Sequence, residues 1–462
     1  MVRRRRNGPA VPALVALLLA GPVGSPARAA DLDIQPAWAR RSHAPIIRFG
    51  TPTVLASHDG RSAILVGAIR GADRPALRVR TLAATTGTVR WSTAVTRFER
   101  PYHQAGWATI DDTGQVYALG TFRRTHGWDG AFVVALDPNG ARRWIVKLDR
   151  AADVGIGDVV LSPDGSRLYI GMTSGPAPEH VALIALDTLD GSEVWSGRYD
   201  GPDARPDSIT AYDGSLVATD TTVLAAVCGR CDREQTDVGW ATTVAFDAAT
   251  GIVSWDRVSG RKGWQAAYAG HRLALTPDGT TVVAGGWARS HPVAIAFDLA
   301  SGATLWRRTF PGRGALQAPA VDPDGTIALL AGNGPYEQML VVALDTATGE
   351  ILWRDRLRSW AGAPWIIDVA LTRGGRFLVA AAICGGPTFS EGYLCSFDLG
   401  LFRYRLDTGR RGLVGRYGPP HTNVAPSDIA VGVGGRVFET GTWDDDVWPP
   451  VRTATVMFST RG

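Results

Sequence analysis

Lysine is nearly missing from this chain: Lys147 and Lys262 are the only two among 48 basic residues, and the rest are arginine. The arginines are scattered, and no basic cluster of the kind that tracks a phosphate backbone is present, so nucleic acid is not an expected partner. Cysteine is limited to 4 residues, too few for a disulfide-dense scaffold. After residue 30 no apolar run approaches the roughly 20 residues that cross a bilayer as a helix, so membrane insertion is not expected. Sequence signatures of familiar chemistry are also missing. There is no G-x-S-x-G elbow, H-E-x-x-H, phosphate loop or dinucleotide fingerprint. What is present is 45% apolar and 20% charged residues with 55 Gly and 28 Pro, a balance that excludes disorder, collagen and coiled coil.

The first thirty residues read as an export signal. Arg3 to Arg6 form a positive start, Val11 to Val23 an apolar stretch, and Ala27-Arg28-Ala29 a cleavage site. The expected mature chain is therefore 30–462, a single domain, secreted and extracellular, with residues 1–29 removed. No cysteine follows the apolar stretch to take a lipid. Cleavage would remove five arginines and leave 43 basic against 44 acidic residues, close to neutrality. The expected state is a monomer.

One phrase recurs along the mature chain. Ala185 to Trp195 (ALDTLDGSEVW), Ala245 to Trp255 (AFDAATGIVSW), Ala296 to Trp306 (AFDLASGATLW) and Ala343 to Trp353 (ALDTATGEILW) all fit A-x-D-x-x-[TSD]-G-x-x-x-W. Ala135 to Trp144 is one residue shorter, and Thr81 to Trp91 and Leu406 to Leu413 are weaker copies. The seven turn glycines, at 87, 140, 191, 251, 302, 349 and 409, recur at a period near that of a four-stranded propeller blade. In each phrase Asp accepts hydrogen bonds from the backbone ahead of it and Gly supplies the left-handed conformation of a tight hairpin.

A second hairpin signal lies upstream of each phrase: His58-Asp59-Gly60, Asp112-Thr113-Gly114, Pro163-Asp164-Gly165, Tyr212-Asp213-Gly214, Pro277-Asp278-Gly279, Pro323-Asp324-Gly325 and Arg373-Gly374-Gly375. Val433-Gly434-Gly435 is an eighth. The unit reads as strands A, B, C and D. Eight A–B hairpins predict an all-β, eight-bladed β-propeller of four-stranded blades, with seven blades as the alternative. The eighth unit ends after its C strand, Thr453 to Ser459. The segment Gln35 to Arg40, which resembles Thr304 to Arg308, is expected to supply the missing D strand and to close the ring, which removes an exposed sheet edge.

The A-x-D-x-x-T-G-x-x-x-W phrase resembles the tryptophan-docking repeat of the quinoprotein alcohol dehydrogenase-like (PQQ-like repeat) propellers, and the resemblance covers residues 34 to 460. That superfamily contains PQQ-binding dehydrogenases and non-catalytic members such as outer-membrane assembly scaffolds. The resemblance implies that Ala and Trp interlock neighbouring blades, and it marks the fold more than the ligand. For a dehydrogenase it implies PQQ held in the channel against a Trp, with calcium beside it and commonly a lid of adjacent disulfide-bonded cysteines. The chain has no adjacent cysteines, and no calcium ligand set can be carried over. A channel Trp would come from Trp264, Trp360 or Trp365 and an acid from Asp207, Asp368 or Asp428.

In a four-stranded blade the A–B and C–D turns emerge on one face, and the B–C loops and D–A connections on the other. Apart from Trp38 and the six tryptophans of the repeat phrases, the tryptophans (107, 128, 240, 264, 287, 360, 365, 443 and 448) map to or beside this second face, as do six of the eight histidines. Roomy loops collect such side chains for steric reasons alone. The functional reading is an aromatic, polar face that binds a glycan, peptide or protein ligand, with His103, Gln104, Trp107, Trp264, Gln265, Trp360, Trp365, His421 and Asn423 as the binding residues. Cys228 with Cys231, and Cys384 with Cys395, are expected disulfides stapling loops of that face. The Cys228–Cys231 spacing also matches a redox or zinc half-site, but nothing nearby completes it, and no metal site is assigned. Asp444-Asp445-Asp446 offers oxygens to calcium or is a solvated loop. No catalytic residue is assigned. The expected function is a secreted binding or scaffold module, and the alternatives are a PQQ-dependent dehydrogenase and a propeller lyase or hydrolase acting on a polymer.

Overall fold

A computed structural model describes residues 36–41, 52–70, 75–95, 101–122, 130–148, 155–174, 180–201, 209–229, 240–260, 272–288, 291–334, 338–357, 365–372, 376–386, 396–418, 423–444 and 452–459. These form eight antiparallel sheets of four strands, an eight-bladed β-propeller. Strands A to D of blade 1 are Thr53–Ala56, Ser62–Arg70, Pro75–Ala83 and Val89–Val95. Blade 2 is Pro101–Ile110, Val116–Phe122, Gly130–Leu136 and Arg142–Leu148, and blade 3 is Gly155–Leu161, Arg167–Ser174, His180–Asp187 and Glu193–Tyr199. Blade 4 is Ile209–Ala218, Thr222–Gly229, Trp240–Asp247 and Val253–Gly260, and blade 5 is Leu273–Leu275, Thr281–Ala288, His291–Asp298 and Thr304–Thr309. Blade 6 is Ala315–Val321, Ile327–Gly334, Gln338–Asp345 and Ile351–Leu357, and blade 7 is Trp365–Thr372, Arg376–Gly386, Ser396–Arg405 and Arg411–Tyr417. Blade 8 takes strands A to C from Asn423–Gly432, Arg436–Asp444 and Arg452–Ser459. Its D strand is Trp38–Arg41, with Trp38 opposite Met457 and Arg41 opposite Ala454. The N-terminal segment thus closes the last blade, as the missing D strand predicts.

The core consists of eight layers, one in each joint between neighbouring blades. Each B and C strand has a blade on both sides, which is why Val116–Phe122 and Gly130–Leu136 are buried at every position and read as continuous apolar runs rather than alternating ones. The D strands form the outer edges and are largely exposed, as in Arg142–Leu148.

The repeat phrase does its structural work across the joints. In seven of them the Trp of one blade donates its indole N–H to a carbonyl in the C–D turn of the next: Trp38 to Ala84, Trp91 to Pro138, Trp144 to Thr188, Trp195 to Ala248, Trp255 to Leu299, Trp306 to Thr346 and Trp353 to Leu406, at 2.6–3.0 Å. The turn glycine serves twice. Gly302 has φ +67°, and a Cβ there would lie 2.5 Å from Trp255 Cδ2, so the indole occupies the volume a side chain would need. Two residues beyond the Trp, Arg40, Thr93 and Arg308 bond the carbonyls of Gly87, Gly140 and Gly349 in the same turns.

One predicted hairpin is corrected. Tyr212-Asp213-Gly214 is not the A–B turn of blade 4. It lies inside the A strand, where the register slips between Ala211 and Leu216. The turn is Thr219-Asp220-Thr221, closed by Thr219 N–H to Thr222 O at 2.8 Å and by Thr222 N–H to Thr219 Oγ1 at 3.0 Å. The Thr219 hydroxyl makes the bond that Ser57, Ser162 and Thr276 make in blades 1, 3 and 5, but no Asp-Gly follows it, so the turn carries no Asp-Gly signature.

Candidate functional site

The turn face uses most of its carboxylates on its own backbone. Asp164 accepts from Ser162 Oγ at 2.5 Å and from the Ser166 amide at 3.0 Å, and these bonds hold its pKa down to about 2. Hydroxyl and amide donors likewise hold Asp247, Asp278, Asp298 and Asp345 below the ordinary carboxylate range. This face is a set of satisfied turns.

The axis is different. The A strands of blades 3, 7 and 8 slip register just before Asp158, Asp368 and Asp428, a bulge that turns each carboxylate sideways. Each accepts the amide N–H of its own successor at 2.8 Å. Asp158 and Asp428 also reach into the next blade, accepting the Leu216 amide at 2.9 Å and the Val54 amide at 2.8 Å. Asp368 instead meets Arg272, which stands just before the A strand of blade 5 and spans past blade 6 to form the ion pair. Asp368 also hydrogen-bonds Asp428, whose pKa is pushed well above the carboxylate range by burial first and by the Asp368 charge second; the Val54 amide and Arg272 oppose this less strongly. Asp428 therefore holds its proton above the ordinary carboxylate range and donates it to Asp368. Arg272, Asp368 and Asp428 form a charge-balanced cross-tie joining blades 5, 7 and 8 at the axis, and Asp428 carries it on to blade 1.

All A strands run from the loop face to the turn face, so their first residues share one mouth. Trp365 opens the A strand of blade 7 and Asn423 that of blade 8; His103 and Gln104 are the third and fourth residues of that of blade 2. Arg272 stands deeper in blade 5, bonded to Gly285 at the register where Asp368 faces Ala380 in blade 7. Trp107 lies deeper on its strand, half-buried and packed on the core layer between blades 2 and 3. Trp287 is buried within strand B of blade 5. Cys228 lies on strand B of blade 4 and Cys384 on strand B of blade 7. Trp264, Gln265, Trp360, His421, Cys231 and Cys395 lie outside the described residues, as do Asp207, Asp445 and Asp446.

Sequence reading missed Arg272 as a site residue and named Asp368 and Asp428 only as acids for a quinone site. A signal was there: Asp158-Val-Val-Leu, Asp368-Val-Ala-Leu and Asp428-Ile-Ala-Val repeat one aspartate at the head of an apolar inner strand. PQQ with calcium is a poor fit to these residues. The carboxylates of Asp158, Asp368 and Asp428 are aimed at backbone amides, Arg272 or each other, and among the described residues no three His, Cys, Asp or Glu side chains converge as metal ligands. Among the described residues no helix is long and apolar enough to cross a membrane.

Comparison with known proteins agrees with the repeat. A family profile described as "Outer membrane protein assembly factor BamB" matches residues 129–290, 241–360 and 289–400. No curated protein sequence matches. Among solved structures, BamB from Moraxella catarrhalis aligns with TM-score 0.50 and 15% identity over 92% of this chain and 99% of its own. Quinohemoprotein alcohol dehydrogenase from Comamonas testosteroni aligns with TM-score 0.56 and 14% identity over 92% and 76%. Sqt1 from Chaetomium thermophilum, bound to the N-terminus of a ribosomal protein, aligns with TM-score 0.55 and 13% identity over 91% and 99%. With seven tryptophan docks, eight four-stranded blades and a profile match across more than half its length, the chain belongs to the PQQ-like repeat β-propellers of the BamB assembly-factor family.

Proposed function

We propose that this chain is a secreted binding or scaffold propeller whose loop-face mouth holds a peptide or protein partner. The observation that supports the reading is the shared mouth: Trp365, Asn423, His103 and Gln104 all belong to the first residues of A strands that run in one direction. An indole, an imidazole and two amides offer stacking area and both donors and acceptors, which suits an extended polypeptide with its regular backbone polar groups. The axial cross-tie keeps the inner strands in place beneath that mouth. A propeller of similar fold, Sqt1, is bound to the N-terminus of a ribosomal protein, which supports polypeptide over glycan here.

The test is a binding screen of the mature chain (30–462) on peptide and glycan arrays, followed by calorimetry with the strongest peptide. Trp365→Ala together with His103→Ala is expected to weaken the peptide tenfold or more while leaving the unfolding midpoint within a few degrees. Glycan binding without peptide binding replaces the partner class. Dye reduction that depends on added PQQ and calcium replaces the binding module with a dehydrogenase.

A further inference from the structure

One joint of the ring differs from the other seven. Blade 7 carries Leu413 where the other D strands carry the docking Trp. The dock has no receptor there either: strands C and D of blade 8 come from opposite ends of the sequence, so no C–D turn joins them.

The layer of this joint also holds a carboxyl group. Glu439 sits on strand B of blade 8 between Ile429 and Val456, both members of the apolar layer facing blade 7. It is fully buried, and among the described residues neither carboxyl oxygen has a hydrogen-bond partner. At the equivalent register of blades 1 to 7 stand Leu65, Ala118, Ile170, Ala225, Ala284, Leu330 and Val379, all aliphatic. A third difference lies at the axis. Where Asp158 and Asp428 meet a backbone amide of the following blade, Asp368 meets the carboxyl of Asp428.

We propose that the joint between blades 7 and 8 is a proton-controlled seam: the ring is closed while Glu439 and Asp428 hold their protons, and it loosens there when they lose them. The physical reason is the same at both places. A carboxylate buried between Ile429 and Val456 meets no cation or hydrogen-bond donor among the described residues, and two adjacent carboxylates repel, so ionisation is favoured only if the two blades separate enough to admit water. Among the titratable or charged groups on the strands of this joint are Asp368, Arg403 and Tyr417 of blade 7 and Asp428 and Arg41 of blade 8. Arg41 hydrogen-bonds Tyr417, and none of the five pairs with Glu439. Burial alone raises the Glu439 pKa, to about 8. Opening that releases one proton becomes about tenfold more favourable per pH unit in the range where the opened form is ionised and the closed form is not.

Hydrogen exchange on the whole chain at pH 5.5, 7 and 8.5, expressed as protection factors so that the chemical exchange rate is removed, tests the seam. Protection of Arg436–Asp444 and Arg452–Ser459 is expected to fall at least tenfold from pH 5.5 to 8.5, while Arg167–Ser174 of blade 3 stays constant. Glu439→Leu, the residue found at this register in blades 1 and 6, is expected to reduce the fall, and Glu439→Leu with Asp428→Asn to abolish it. Glu439→Gln gives the same readout if the leucine variants do not fold. Equal loss of protection in blades 3 and 8, or a pH-dependent loss in blade 8 that survives in the variants, overturns the proposal.

Discussion

Replacing Glu439 by leucine should stabilise the protein, and more so as the pH rises. The folded carboxyl has its pKa raised to about 8 by burial, whereas in the unfolded chain it returns to the ordinary 4.5. Below pH 4.5 both states hold the proton and the folded chain has its full stability. Between 4.5 and about 8 the unfolded chain has released the proton and the folded chain has not, so stability falls as pH rises, and the loss is complete once the folded group ionises. At about 1.4 kcal/mol per pH unit, that window amounts to about 5 kcal/mol. Leucine removes the titration and also an unsatisfied buried polar group, worth about 1–3 kcal/mol at any pH. Urea unfolding of both proteins at pH 4.5, 6, 7.5 and 9 should show curves that diverge upward, with Glu439→Leu ahead by about 1–3 kcal/mol at the acid end and by several more at the alkaline end. Parallel curves would refute the reasoning, because they would mean that the carboxyl is hydrated in the native state.

Three further perturbations probe the joints. Trp306→Phe keeps an aromatic ring but strands the Thr346 carbonyl, whose donor at 2.7 Å is the indole N–H; urea unfolding should show a loss of about 1–3 kcal/mol. Gly302→Ala and Gly165→Ala both force alanine into the left-handed region, at φ +67° and +71°. Only Gly302 faces an indole, and a Cβ at Gly165 meets nothing within 4 Å. Calorimetry should therefore show about 1–2 kcal/mol lost at Gly165 and clearly more at Gly302, and equal losses would remove the steric role of the docking Trp. Leu413→Trp should bring no gain in unfolding midpoint, since blade 8 has no C–D turn to receive an indole; a gain of several degrees would show another acceptor at that joint.

Much of the ring can be read directly because its determinants are local. The phrase from Ala343 to Trp353 contains its own turn, and the Asp345 carboxylate accepts the Thr348 amide at 2.8 Å within three residues. Repetition made the period visible and the missing D strand countable. Reading failed where the turn lacks its usual residues, as in blade 4, where the Thr219 hydroxyl closes a turn with no Asp-Gly and the Asp213-Gly214 pair lies inside the strand. It also undervalued the repeated aspartate of the inner strands. Asp158, Asp368 and Asp428 look alike in sequence, and only their neighbours distinguish a carboxylate capped by an amide from one that shares a proton.

The sequence by itself determined the class of fold, the count of eight blades, the closure by Trp38–Arg41 and the seven docks, because each follows from two short repeated signals, the docking phrase and the A–B hairpins. Tertiary structure alone decided that Arg272 reaches Asp368 past an intervening blade, that Asp428 keeps a proton, and that Glu439 occupies a layer built of aliphatics. These are properties of residues distant in the chain, such as the 96 positions that separate Arg272 from Asp368. No periodicity reports them, since their energies depend on burial and on which side chains the closed ring brings together.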